Sequence, residues 1–349
     1  PPPDGQAPFV GLLLRLSGPD GEPDPIYGGQ LQDIGIDGVP AEASPTITWE
    51  EQPFTYPDGT TVTLLAPTYT LGEGAYGPFA TGIQVSPRVA PHMVGLGLLE
   101  AIPEAELLDL ADPDDDDGDG ISGRTQQSER DPGEWVVGRF GWKGEAPTVL
   151  HQAAGAFAGD IGMTSRLSRT DDCTEAQAVC LEQPSGGDPE LEDRLLDVTA
   201  LYSRAVAVPV RRDWESDIVL DGRQLFRDVG CDDCHVPSWT TGTFDPLPEF
   251  EGQRIWPYTD LLLHDMGEGL ADDRPLGQAS GTEWKTPPLW GLGMVETVNG
   301  HTRFLHDGRA RSFEEAILWH GGEGEASKLA YEGLSQSDKD ALIKFLESL

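Results

Sequence analysis

The sequence predicts a mainly α chain made of two like units, with long loops and a small β-hairpin region in its N-terminal part. Three observations lead there. Apolar residues recur at helical spacing on both sides of Cys231 and Cys234: Leu225, Phe226 and Val229 before them, and Leu342, Phe345, Leu346 and Leu349 at the C-terminus. Two glycine-containing motifs each occur twice, in the same order, as a duplicated unit would have them. Strand-like runs separated by turn residues gather in residues 1–80.

At 349 residues the length favours two domains, read as residues 1–210 and 211–349. Apolar residues make up 38%, enough for real cores, while 43 Gly and 29 Pro require much of the chain to be loop. The net charge of −38 argues against nucleic acid or anionic lipid as a partner and suits plain solubility or a basic partner. No stretch approaches the ~20 apolar residues of a membrane span.

In chain order, residues 1–80 read as scaffold. Phe9 to Leu16 is a short apolar run, and Thr46 to Phe54 and Thr61 to Leu65 are strands joined by the turn Pro57-Asp-Gly-Thr60. Pro91-His-Met-Val-Gly-Leu-Gly97 then leads into a helical stretch and is repeated by Pro287-Pro-Leu-Trp-Gly-Leu-Gly293. Phe140-Gly-Trp-Lys-Gly144, followed by a helix, is echoed by Leu305-His-Asp-Gly308 and a helix of its own. The two offsets differ by about the length of an acidic insertion in the first copy. In that insertion Asp115, Asp117 and Asp119 alternate ahead of Gly120, as at the start of a calcium loop, where carboxylates converge on one hard cation. The twelfth position is Gln126, where a bidentate Glu is usual, and a solvated acidic loop is the plainer reading of such a charge run. Cys173 and Cys180 are spaced for a local disulfide, and Pro209 with Arg211-Arg-Asp213 reads as a linker. Leu334-Ser-Gln-Ser-Asp338 is an N-cap signal for the last helix.

The chemistry centres on Cys231-Asp-Asp-Cys234-His235. C-x-x-C-H is the attachment signature of c-type haem: two thiols add to the two vinyl groups, and the histidine is left under the iron as an axial ligand. A zinc knuckle would want a second close Cys/His pair, which the spacing of Cys173 and Cys180 does not provide. A redox C-x-x-C would follow a strand, whereas a short amphipathic helix leads into this one. A helix running into C-x-x-C-H and an amphipathic helix closing the chain are the outline of a cytochrome c-like domain. Covalent haem and a disulfide together point to a bacterial periplasmic or extracellular protein.

Several segments together resemble the bacterial di-haem oxidoreductase family, which contains thiol-oxidoreductase-like and peroxidase-like proteins. It is similar in turn to di-haem cytochrome c peroxidases and their methylamine-maturation relatives. The segments are Leu263-His-Asp-Met-Gly267, Glu283-Trp-Lys-Thr-Pro-Pro-Leu-Trp-Gly-Leu-Gly293, Phe304-Leu-His-Asp-Gly-Arg-Ala310 and Trp319-His-Gly-Gly-Glu323. Arg139-Phe-Gly-Trp-Lys143 and Gly155-Ala-Phe-Ala-Gly-Asp-Ile-Gly162 fit as well. The resemblance implies two cytochrome c-like domains with a haem each. Only one C-x-x-C-H is present, so the first is expected upstream of Pro1, a start that reads as processed or truncated.

The distal ligand of the haem on Cys231 and Cys234 lies among Met266, Met294, His264, His301, His306 and His320. The resemblance implies His320, presented by a helix over Glu314 to Trp319, with His264 or Met266 as its rivals. It also implies that His306 and Arg309 line the haem environment and hold propionates, with a plain turn at Asp307-Gly308 as the alternative. Trp239, Trp284 and Trp290 are read as aromatic packing. Gapless pairing of the repeats sets Ala156 opposite His320. The first haem is therefore expected to have an open distal face, with His151 and Gln152 assisting proton movement there. The implied activity is electron transfer from a donor protein through the C-terminal haem to a second haem that reduces a small oxidant such as hydrogen peroxide. An electron-transfer cytochrome without substrate turnover is the alternative, and a calcium-stabilised structural module carrying an idle haem is a third.

Overall fold

Residues 11–349 are described by a computed structural model. Phe9, Val10 and the Pro1–Gly5 stretch lie outside the described residues. The expectation of a mainly α chain built as two cytochrome c-like domains is corrected. The structure has about 30% helix and 19% strand. Among the described residues there are ten α-helices and five two-stranded antiparallel sheets. The physical reason is the glycine and proline content already noted. Three helices reach 13 residues and one reaches 12, and the rest stop within eight.

Strand β1 (Leu12–Ser17) pairs antiparallel with β4 (Gln84–Val89), and between them β2 (Thr46–Thr55) and β3 (Thr61–Thr70) form a long hairpin across the expected turn. Leu14, Leu16, Tyr27 and Leu31 make a core of their own under this region. Helices α1 (Leu96–Glu100) and α2 (Glu104–Leu110) follow, then the acidic loop and the hairpin of β5 (Gln127–Asp131) and β6 (Glu134–Val137). Helix α3 (Val149–Ile161) packs on α5 (Asp193–Ala205). Between them lie the short α4 (Ala178–Leu181) and the Cys173–Cys180 disulfide that the spacing anticipated.

In the C-terminal half, α6 (Asp217–Asp228) packs on α10 (Gln336–Ser348), burying Val219 and Phe226 against Leu342, Phe345 and Leu346. The crossing is close at Gly222, where an added Cβ would stand 1.9 Å from the Ala341 carbonyl oxygen. Ser335 caps α10 as its sequence promised, accepting from Asp338 N–H. Short paired segments β7 (Trp239–Thr240) with β8 (Arg254–Ile255), and β9 (Leu263–Asp265) with β10 (Glu283–Lys285), connect the two helices to α7 (Val295–Asn299), α8 (Phe313–Leu318) and α9 (Glu325–Glu332).

The sequence repeats have matching conformations. Gly95 and Gly291 both sit in the left-handed region, at φ 69° and 79°, and each opens a helical turn. Phe140 pairs with Ala146 as Phe304 pairs with Ala310, and Thr148 and Ser312 cap the helices that follow. The correspondence ends inside those helices. α8 stops at Leu318, so His320 leaves the helix, while Ala156 is still within α3.

Candidate functional site

A cavity of about 980 Å³ lies between the N- and C-terminal halves, and residues from both line it. Side chains of α6, α8 and α10 contribute to its wall, and Cys231, Cys234, His235 and His320 line it. His92, Met93, Trp142, His301 and His306 line it as well.

The tautomers of the histidines follow from their neighbours, because a carbonyl oxygen can only accept. His235 donates from Nδ1 to the Tyr258 carbonyl at 3.0 Å, and His320 donates from Nδ1 to the Ala316 carbonyl at 2.7 Å. Each therefore offers the Nε2 lone pair, the state in which a histidine binds a metal. Burial pushes the His235 imidazole down to about 4, and the nearby His320 adds to that. Burial lowers His320 too, so both rings are neutral at pH 7. The thiols are shifted the other way. Burial, with Asp232 beside it, pushes Cys231 up to about 12, and burial also raises Cys234. Both thiols are therefore protonated in the chain as it stands.

The rival distal ligands are otherwise engaged. His264 donates from Nε2 to Asp260 at 2.8 Å and from Nδ1 to Glu323 at 2.7 Å, so neither nitrogen is available. Burial alone would lower its pKa, but the bonds to Asp260, Cys234 and Glu323 outweigh burial and push it up to about 12. It is an imidazolium held between two carboxylates. Met294 accepts from Arg212 at its sulfur and does not line the cavity. Met266 does line it, with its methyl near His320 and Gly324. Glu323 also accepts from Ser122 at 2.7 Å, which ties the segment after His320 to the end of the acidic loop.

His306 is buried and donates from Nδ1 to the Pro87 carbonyl at 3.3 Å, while its Nε2 has no hydrogen-bond partner. Burial, reinforced by Arg88, holds its pKa well below the usual range. Its ring stacks on Trp284 at 3.8 Å. Arg88 and Lys143 lie 4.5 and 4.6 Å from the centre of the same Trp284 ring, and both are paired to Asp272. Trp142 meets His306 edge-on.

Other expected residues are placed elsewhere. Arg309 spends its guanidinium on Asp307 at 2.7 Å and the Gly269 carbonyl at 2.5 Å, bracing a turn and lining no part of the cavity. His151 accepts from Thr148 at Nδ1 and donates from Nε2 to the Arg130 carbonyl, and neither it nor Gln152 lines the cavity. Trp239 and Trp290 are core residues. In the acidic loop the carboxylates of Asp112, Asp115 and Asp117 lie within 4.8 Å of one another, whereas Asp119 turns to cap Ile121 N–H. Sequence reasoning missed Asp260, Lys285, Glu323 and His92. Glu323 and Lys285 stand inside motifs already singled out, and Asp260 sits four residues before His264.

The deciding observation is a profile match over residues 23–349 to the family described as "Di-haem oxidoreductase, putative peroxidase". The chain belongs to the di-haem oxidoreductase family. Haem is accordingly its cofactor, and peroxidase-like oxidoreduction with redox partners and a small oxidant is its general role. No curated protein and no solved structure matches the chain. The residues present suit such a group: two carbonyl-anchored neutral histidines, two protonated thiols and apolar side chains of Phe226, Leu289 and Leu342 line one cavity. Among the described residues no helix is long and apolar enough to cross a membrane.

Proposed function

We propose that the chain is an extracytoplasmic peroxidase-type oxidoreductase that carries haem c on Cys231 and Cys234, with His235 and His320 as its two axial ligands. The observation that carries this is the matched pair of histidines. Each keeps Nε2 free on a carbonyl-anchored ring, and both rings line the cavity that holds the two thiols. Bound haem supplies one-electron iron chemistry, which the side chains do not have. The chain's own residues fix the imidazoles, exclude water with apolar side chains and keep both rings unprotonated. His92, Met93, Trp142 and His301, which line the same cavity, would serve the other haem of the family. The overall change is reduction of hydrogen peroxide with two electrons and two protons to two waters, the electrons coming from a donor protein. The unpaired His306 Nε2 on the cavity wall would accept a proton from hydrogen peroxide brought into the cavity. The same unpaired nitrogen favours a second reading: as a third ligand-ready histidine it would close the other iron and make the protein an electron carrier without turnover. We also propose that Asp112, Asp115 and Asp117 hold a divalent cation such as calcium.

Spectroscopy of holoprotein tests these assignments. Denatured protein should keep a c-type absorbance, and His320→Ala should turn that haem high-spin. Haem that extracts into acidified organic solvent, or a haem that stays low-spin in the variant, would remove the basis for the ligand pair. High-spin iron elsewhere in the wild type supports the peroxidase, and its absence supports the carrier.

A further inference from the structure

Lys285 sits at the end of β10, 6% exposed, on the cavity wall. Its backbone N–H is used, donating to the Trp142 carbonyl at 2.9 Å. Its ammonium is not. Of three donors, one makes a long bond of 3.3 Å to the carbonyl of its own neighbour Thr286. Among the described residues no carboxylate is within ion-pair reach. The contrast is Lys143, also buried, whose Nζ donates to Asp272 and the Arg274 carbonyl at 3.0 Å and to the Ser280 carbonyl at 2.5 Å. Burial lowers the Lys285 amine to about 8, with Glu145 and Asp260 opposing that shift. A buried charge with donors to spare costs several kcal/mol unless an anion meets it. Arg309 is already paired with Asp307; Arg303 and Lys328 also line the cavity, and Lys328 is paired with Glu325.

We propose that Lys285 Nζ is the docking point for a carboxylate of the group that fills the cavity, namely a haem propionate. This rests on the haem reading above. The ligand class follows from the donor: a compact ammonium on an apolar wall takes a single carboxylate oxygen, whereas a planar bidentate partner would call for arginine. Lys285 would be a positioning residue, holding a propionate of the haem that the cavity takes.

The test uses haem-loaded full chain, with Lys285→Gln and Lys285→Arg beside the wild type. Resonance Raman of the propionate bending modes and a redox titration are read on each. In Lys285→Gln the propionate band should shift. Loss of a nearby cation should also move the ferric/ferrous balance about tenfold towards ferric, about 59 mV lower for a one-electron couple. Lys285→Arg should restore the potential, because the charge returns. Covalent haem present as in wild type, with an unmoved propionate band in Lys285→Gln, overturns the proposal and leaves the haem reading intact. Absence of covalent haem from wild-type protein overturns that reading instead. Should Lys285→Gln fail to accumulate, the wild type in deuterated water decides: an ammonium donating to the propionate shifts its band, and an unshifted band overturns the proposal.

Discussion

Replacing Glu323 by Gln would test the charged clamp on His264. The carboxylate of Glu323 is 10% exposed and accepts from His264 and from Ser122, each at 2.7 Å. Gln keeps an acceptor oxygen and nearly the same shape, so what is lost is the charge facing a buried imidazolium. Hydrogen bonds to charged groups contribute roughly 1.5–3 kcal/mol, and removing one partner of a buried pair costs about 3–5. Because Asp260 remains at 2.8 Å to share the charge, the lower range applies, and we expect a loss of about 2 kcal/mol at pH 7. The sign with pH follows from linkage. The folded pKa of His264, about 12, lies above the unfolded value of 6.5. Its contribution is therefore complete below 6.5 and is lost as pH rises towards 12. A loss of about 2 kcal/mol lowers the folded pKa by only about 1.5, so the ring stays protonated in both folded proteins up to about pH 10. The deficit should thus be level from pH 6 to 8.5 and shrink only above about pH 10. Urea denaturation at pH 6, 7, 8.5 and 10 measures this. No deficit at pH 6 to 8.5, or one that shrinks steadily across that range, would refute the charged clamp.

Two further outcomes are expected. Gly222→Ala should destabilise by about 1–3 kcal/mol, because its Cβ would meet the Ala341 carbonyl oxygen at 1.9 Å. Gly155→Ala in α3 has nothing within 4 Å and should be neutral or stabilising by about 0.5–1 kcal/mol, and thermal melts of both separate helix crossing from helix propensity. Chelation of divalent cations should lower the melting temperature, with Asp117→Ala reproducing that loss and Asp119→Ala leaving it unchanged; a chelator without effect would return the loop to a solvated acidic run.

What the sequence disclosed was mostly local. The helix into C-x-x-C-H, the Ser335 cap, the short helix ahead of His320 and the hairpin turn at Pro57–Thr60 all depend on neighbours within a few positions. The guanidinium of Arg309 is held by a turn carboxylate two residues away, Asp307. His151 was reached by extending the repeats past the point where α8 ends and α3 continues. Glu323 and Asp272 were not visible, since their partners include side chains more than a hundred residues away, Ser122 and Arg88. The mainly α expectation weighed helical periodicity above the glycine and proline content that keeps most helices to one or two turns.

The bonds around Glu323 join segments that are far apart in the chain. Ser122, Asp260, His264 and Glu323 form one chain of polar contacts, and beside it Arg124 and Leu263 exchange both backbone bonds, at 3.1 and 2.8 Å. No one of these segments can peel away without exposing the imidazolium of His264 and breaking bonds that the others also need. Their amide protons should therefore exchange with solvent at a common rate, set by the opening of the whole junction and not by the exposure of each loop.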